Sequence, residues 1–395
     1  MFTGNLPEFS LDAWKPYAAQ PAASAEKLLP PFLQGVDVEV SHFTALGQAV
    51  DNLHVRLVRD TSAWKLGLTS NAIAGQISLP YQVDAAHPII ADMQRVTWIR
   101  KATKSGSNPA SAPLKPRDVP PLRITVRQLH YNDITLDNVQ AELEQQPDGV
   151  NLKMLAIANP AFSLTSNGRW TAQADGVQQS TLVVQIKSSD LEKTLQSFGY
   201  APGITGDQGE LQASLSWAGG PFADILPTLN GKLHVRLKDG RLLEVKPGAG
   251  RLFGLLSINA LPRRLLLNFS DVLGKGFGYD SIQGDFLIER GDAYTSDLVV
   301  NGPAAKIHMV GRIGLVKHDF NEALIVDSSV GSSLPVLGAL AASSVGVGAV
   351  LFILTEIFKK PLAAAGEIRY HLTGTWDNPV LTKVVDTKPA ANGRH

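Results

Sequence analysis

The chain has 395 residues with 36 basic and 36 acidic side chains, so its formal net charge is zero; 18% of it is charged and 44% apolar. No clustered cationic block is present, which excludes a nucleic-acid binder that relies on phosphate neutralisation. Cysteine is absent, which removes disulfide frameworks, cysteine metal sites and thiol catalysis, and the length predicts several domains or one elongated repeat structure.

The opening stretch, MFTGNLPEFSLDAWKPYAAQPAAS, lacks a positive segment followed by an apolar one and reads as neither signal peptide nor anchor. The expectation is a cytosolic chain or the C-terminal part of a longer one, with residues 1–35 a partial repeat or strap. Beyond it the dominant signal is alternation. DNLHVRLVRD sets Leu53, Val55 and Leu57 against His54, Arg56 and Val58, inside a first β-meander at 36–100. KATKSGSNPASAPLKPRDVPP, residues 101–121, has no period and reads as a linker or exposed loop.

A second meander, 122–247, continues the pattern. Leu122, Ile124 and Val126 share one parity in PLRITVRQL, as do Leu182, Val184 and Ile186 in STLVVQIKS. Leu211 and Leu215 follow, then Leu233, Val235 and Leu237 in GKLHVRLKDG. A short helix is expected at 190–198 from a serine cap, an acidic first turn and a closing glycine. A third meander, 248–327, is expected to hold a short helix at 250–260 and strands that present Phe286, Ile288, Ile307 and Met309 on the dry parity. An apolar helical segment at 328–361, a terminal strand at 362–383 and a disordered tail at 384–395 complete the reading. The class is mainly β, built of antiparallel meanders.

Three stretches repeat. They start at Asp51, Asp137 and Asp280, alternate through strands and turns, and end on a strand carrying Gly75, Gly168 and Gly311. A unit of about 30–35 residues that cannot bury its dry face alone stacks with its neighbours.

No catalytic or phosphate-binding motif is present: no nucleophile elbow, no H-E-x-x-H, no P-loop and no G-x-G-x-x-G opening a helix. The nine histidines are scattered singly, as at His54, His234 and His308, and the pair His42 and His54 lacks a third ligand at useful spacing. The expectation is a protein that is not an enzyme and holds no metal or cofactor. A sheet with one dry face buries it on a second layer, in a closed sandwich core, or on a ligand. An apolar trough suits acyl chains, each buried methylene contributing roughly 0.8 kcal/mol.

GRLFGLLSINALPRRLLLNFSDVLGKGFGYDSIQGDF, VNGPAAKIHMVGRIGLV, SSLPVLGAL and YHLTGTWDNPVL, preceded in order by LTSNAIAGQISLPY, ANPAFSLTSNGRWT and LQSFGYAPGITGDQGELQASLSWAGGP, resemble the C-terminal region of the YhdP-type AsmA-like envelope proteins of Gram-negative bacteria. That resemblance implies an elongated apolar groove, anchored at the inner membrane in the full-length family, that moves phospholipid across the periplasm toward the outer membrane. It makes phospholipid acyl chains, a membrane surface and envelope proteins the expected partners. The groove lining implied is the dry parity: Leu53, Val55, Leu57, Leu122, Ile124, Val126, Leu182, Val184, Ile186, Leu211, Leu215, Leu233, Val235, Leu237, Phe286, Ile288, Ile307 and Met309. The alternative is a structural or adaptor module with a filled core and a protein partner.

From Ser328 to Thr355 no side chain is charged. A spanning helix needs about 20 strongly apolar residues, whereas Gly338 to Gly348 is mostly small. Three readings stand: a full span, a packing helix, or a hairpin or tilted helix at the groove end. In the last, Val350, Leu351, Phe352, Ile353, Leu354, Ile357, Phe358, Lys359 and Lys360 contact the membrane.

Overall fold

The computed structural model describes residues 1–11, 34–45, 48–99, 115–132, 134–200, 203–221, 223–243, 277–327, 346–359 and 367–384. The expected helix at 250–260, the first part of the 328–361 segment, Lys360 and most of the tail lie outside them.

Among the described residues nineteen strands form one sheet. They are β1 (Phe2–Ser10), β2 (Gly35–Ala45), β3 (Gln48–Arg59), β4 (Ala63–Thr69), β5 (Ile73–Pro80), β6 (Ile89–Trp98), β7 (Leu122–Tyr131), β8 (Ile134–Gln146), β9 (Gly149–Asn159) and β10 (Phe162–Ala172), followed by β11 (Gln178–Ser188), β12 (Ile204–Ala218) and β13 (Asn230–Leu242). The last six are β14 (Phe277–Glu289), β15 (Asp292–Asn301), β16 (Lys306–Gly314), β17 (Asp319–Asp327), β18 (Glu367–Thr375) and β19 (Pro379–Lys383). Among the described residues two α-helices accompany them, α1 (Leu191–Ser197) and α2 (Val347–Lys359). The mainly β class read from the alternation is the observed one.

The chain divides into two compact units. The first holds residues Met1–Leu182 with two short later pieces, and the second holds Val183–Gln196, Tyr200–Ala218 and Phe222–His395.

In the first unit each strand from β1 to β10 pairs with the next. Most pairs are antiparallel, as expected, but β1–β2 and β6–β7 are parallel. A parallel pair cannot be closed by a tight turn and needs a long crossover; residues 99–121 separate β6 from β7. A five-strand block, β2 to β6, is thereby joined in parallel to the next meander.

The repeated Asp-to-Gly stretch has a structural basis. Asp51 and Asp137 are each followed by an asparagine in the left-handed region, Asn52 at φ 52° and Asn138 at φ 50°, a conformation asparagine tolerates better than most residues. The pairing register skips both asparagines, from Leu53 to Asp51 against β2 and from Val139 to Asp137 against β7. At the far end, a Cβ at Gly75, Gly168 or Gly311 would run into the carbonyl oxygen of Asp92, Thr181 or Asn321 on the next strand. Glycine at these three positions is therefore a packing requirement.

In the second unit β12 to β19 pair successively and antiparallel. Arg290 and Gly291, both at positive φ, form the tight turn between β14 and β15. Helix α1 starts on Asp190, whose Oδ1 accepts the Lys193 N–H at 3.0 Å.

Candidate functional site

Cross-strand register shows which side chains share a face. In the first unit one row runs Val38, Val55, Leu68, Gly75, Met93, Val126, Val139, Ile157 and Leu164 from β2 to β10. The row beside it runs Val36, Leu57, Leu66, Ile77, Ala91, Ile124, Ala141, Leu155 and Ser166. All the parity residues named from β3 and β7 thus fall on one face, with Leu53 and Leu122 flanking these rows. The opposite face carries Arg56, Gln76, Asp92, Thr125, Gln140 and Thr165, every one exposed.

Burial on the apolar face is incomplete. Leu53 and Val126 are buried, yet Val55, Leu57, Leu66, Leu68, Ile77, Leu122, Ile124 and Leu155 keep part of their surface in solvent. This is a broad apolar surface with partial cover, an arrangement that marks a binding face more often than an ordinary monomer surface.

At the end of β3 the same face changes chemistry. Arg59 pairs in register with Trp64, and its guanidinium carbon lies 5.8 Å from the ring centroids of both Trp64 and Tyr81. Tyr81 is held by donating its hydroxyl proton to the Asp60 carbonyl. Sequence reading passed over Arg59 and Trp64, although their place at the ends of alternating runs was visible.

The second unit presents its parity residues differently. Leu233, Val235, Leu237, Phe286, Ile288, Ile307 and Met309 are all buried. In register with them, Leu237, Ile282, Val300, Ile307 and Val326 form one row across β13 to β17, and Ile282, Leu298, Val300 and Met309 are 0% exposed. Glu322, also fully buried, faces this interior from β17 opposite Gly311; sequence reading did not flag it. Val184, Ile186, Leu211 and Leu215, on β11 and β12, are half-buried, as is Leu182 in the first unit.

Helix α2 packs on the other face of the second unit's sheet. Val350, Ile353, Leu354 and Ile357 meet Val310, Ala323 and Ile325 in one apolar cluster, with Phe358 beside it. Leu351 and Phe352 point away, Phe352 with 64% exposure. Four of the residues proposed for membrane contact are therefore occupied by the sheet. The Arg369 guanidinium donates to the Ile357 carbonyl at 3.0 Å, placing a cation at the helix C-terminus where the dipole favours it. No described helix is long and apolar enough to cross a membrane.

The polar surface holds histidine–carboxylate pairs that single-residue reading missed. His42 lies 2.8 Å from Asp51, His54 2.6 Å from Asp37 and His234 2.8 Å from Asp285. Among the described residues no group of three or more ligating side chains is placed to hold a metal. Arg312 bridges Asp292 and Asp319 at 2.8 Å each, and these hydrogen bonds hold its guanidinium more firmly protonated than usual. Burial pushes the Asp297 carboxyl above the ordinary carboxylate range and the Tyr279 hydroxyl up as well, the latter donating to the Thr205 carbonyl at 2.6 Å.

The first unit is thus a two-faced β-sheet whose apolar side is incompletely covered. The model of the YhdP protein family matches residues 1–381, and the chain belongs to that family. It is 27% identical over 285 residues to the intermembrane phospholipid transporter YhdP of Escherichia coli strain K12. The match covers 72% of this chain and 22% of the relative, so the chain spans about a fifth of that protein's length. No solved structure matches.

Proposed function

We propose that this chain is a groove segment of a periplasmic phospholipid-transfer protein, which moves lipid between the inner and outer membranes of the cell envelope without covalent chemistry. Acyl chains lie on the apolar face of the first unit, against Leu53, Val55, Leu57, Leu122, Ile124 and Val126. The half-buried residues of β11 and β12, namely Leu182, Val184, Ile186, Leu211 and Leu215, bind chains in the same way. Helix α2 meets a bilayer through Leu351 and Phe352, which point away from the sheet.

The observation that carries this reading is the pair of apolar rows in the first unit, continuous in register yet partly exposed. The relative's transport of phospholipid between membranes supplies the cargo class. The test is mass spectrometry of lipids retained by the gently purified chain, beside Leu57→Asp and Ile124→Asp. Retained phospholipid that disappears in folded variants supports the groove. A folded wild-type chain that carries no lipid, even after incubation with phospholipid vesicles, overturns it.

A further inference from the structure

The apolar face of the first unit does not end in aliphatic side chains. Along β3, β4 and β5 the row Leu57, Leu66 and Ile77 is followed at the strand ends by Arg59 and Trp64, with Tyr81 just beyond β5. A guanidinium thus stands beside an apolar surface, over two aromatic rings. Trp64 is 4% exposed, and its indole N–H has no acceptor among the described residues. A buried donor left without an acceptor is costly and uncommon.

These groups match one kind of molecule. A two-chain lipid presents hydrocarbon and, at its end, a phosphodiester with several acceptor oxygens and one negative charge. Arginine suits that group because its planar fork donates two parallel hydrogen bonds to phosphate oxygens. We propose that Arg59 and Trp64 form a headgroup-reading site, in which the phosphodiester of a lipid lying on Leu57, Leu66 and Ile77 accepts from the guanidinium and from the indole N–H. As the phosphate draws Arg59 off the ring, the indole donor beneath gains an acceptor. Tyr81, fixed through Asp60, holds the aromatic wall in place. The site rests on the lipid-binding reading above and adds to it a preference for phospholipid over neutral lipid with the same chains.

The experiment equilibrates the whole chain with vesicles containing phosphatidylglycerol and diacylglycerol of identical acyl composition, then measures the ratio of the two in the recovered protein by mass spectrometry. Charged hydrogen bonds of this kind correspond to about a tenfold or greater preference, so wild-type protein should be enriched in phosphatidylglycerol by that factor over the vesicles. Arg59→Gln and Trp64→Phe should each lower the enrichment, and the double variant should return the vesicle ratio. Arg56→Gln, on the exposed polar face, should keep it. Circular dichroism establishes that each variant is folded; Arg59→Lys, which keeps charge but loses the fork, gives an intermediate ratio and covers the case of a misfolded Arg59→Gln.

Wild-type protein loaded in the vesicle ratio, or folded variants that keep full enrichment, would overturn the headgroup site while leaving lipid binding intact. Failure of the wild-type protein to take up either lipid would overturn both readings. Binding of free glycerol 3-phosphate as tight as that of lipid would also overturn it, by making the ligand a soluble phosphate.

Discussion

The two units use the same strand chemistry and cover it differently. β3 and β7 in the first unit alternate apolar and polar residues as regularly as β13 and β16 in the second, yet Leu57 and Ile124 stay partly exposed while Met309 is fully buried. Alternation therefore states which face avoids water and leaves open what covers it. At β16 and β17 of the second unit both faces are buried, one of them against α2.

A charge placed in each unit gives the sharpest contrast. Met309→Asp puts an unpaired carboxylate among fully buried side chains and should destabilise the second unit by about 4 kcal/mol or more, visible as loss of its cooperative urea transition. Val235→Asp, also at a buried position of that unit, should follow it. If either variant melts like the wild type, the second unit is not a filled core and the contrast collapses.

Next in size is the helix contact. Ile353→Ala removes a buried side chain from the cluster with Val310 and Ile325 and should cost about 2–4 kcal/mol. Faster amide exchange in α2 than in β16 would show that the loss is local. Equal acceleration of both would mean that helix and sheet open together.

Smaller is a pH effect confined to the second unit. His371 lies with its Nε2 2.9 Å from the Asn321 Oδ1, its ring against Phe358 and Arg369 two residues before it. Burial holds its pKa below the usual imidazole value. Burial, helped by Lys306 and opposed by Asp327, does the same for His308. The unfolded chain therefore binds protons more readily at both sites, so stability is full above the ordinary histidine value of about 6.5 and declines as pH falls below it. The protection factors of the α2 amides, which discount the intrinsic slowing of exchange at lower pH, should fall between pH 7.5 and 5.5, and His371→Gln should reduce that fall. Unchanged protection factors would sink the attribution.

The smallest stability change is expected in the first unit. Leu57→Asp at a half-buried position should shift stability by about 1 kcal/mol or less while abolishing lipid retention. A loss as large as that of Met309→Asp would mean that this face is closed too, and the two units would no longer differ.

Much of this was legible in the residues. The parity of Leu53, Val55 and Leu57 and of Leu122, Ile124 and Val126 placed them on one face, because a strand's side-chain period is two. The Asp-to-Gly repeat was also readable, since Gly75, Gly168 and Gly311 occupy places where a neighbouring carbonyl leaves no room for a side chain. Coverage was not legible: it depends on contacts far apart in the chain, such as Ile353 with Ala323. The division of α2 into a sheet-facing side and an outward side at Leu351 and Phe352 was hidden as well, because a run apolar all round carries little directional signal. Nor did composition reveal that β6 and β7 run parallel, since an aperiodic loop fits a hairpin or a crossover equally well.

That parallel joint has a consequence for how such molecules change size. Because β2 to β6 form a self-paired block entered and left through parallel neighbours, a further block of the same kind inserted at the joint meets the same edges that were there before. With strands about 4.8 Å apart, five of them advance the sheet by about 24 Å. Sheet width in this architecture is thus gained in whole increments, and duplication of a short gene segment can widen the sheet without redesigning either edge.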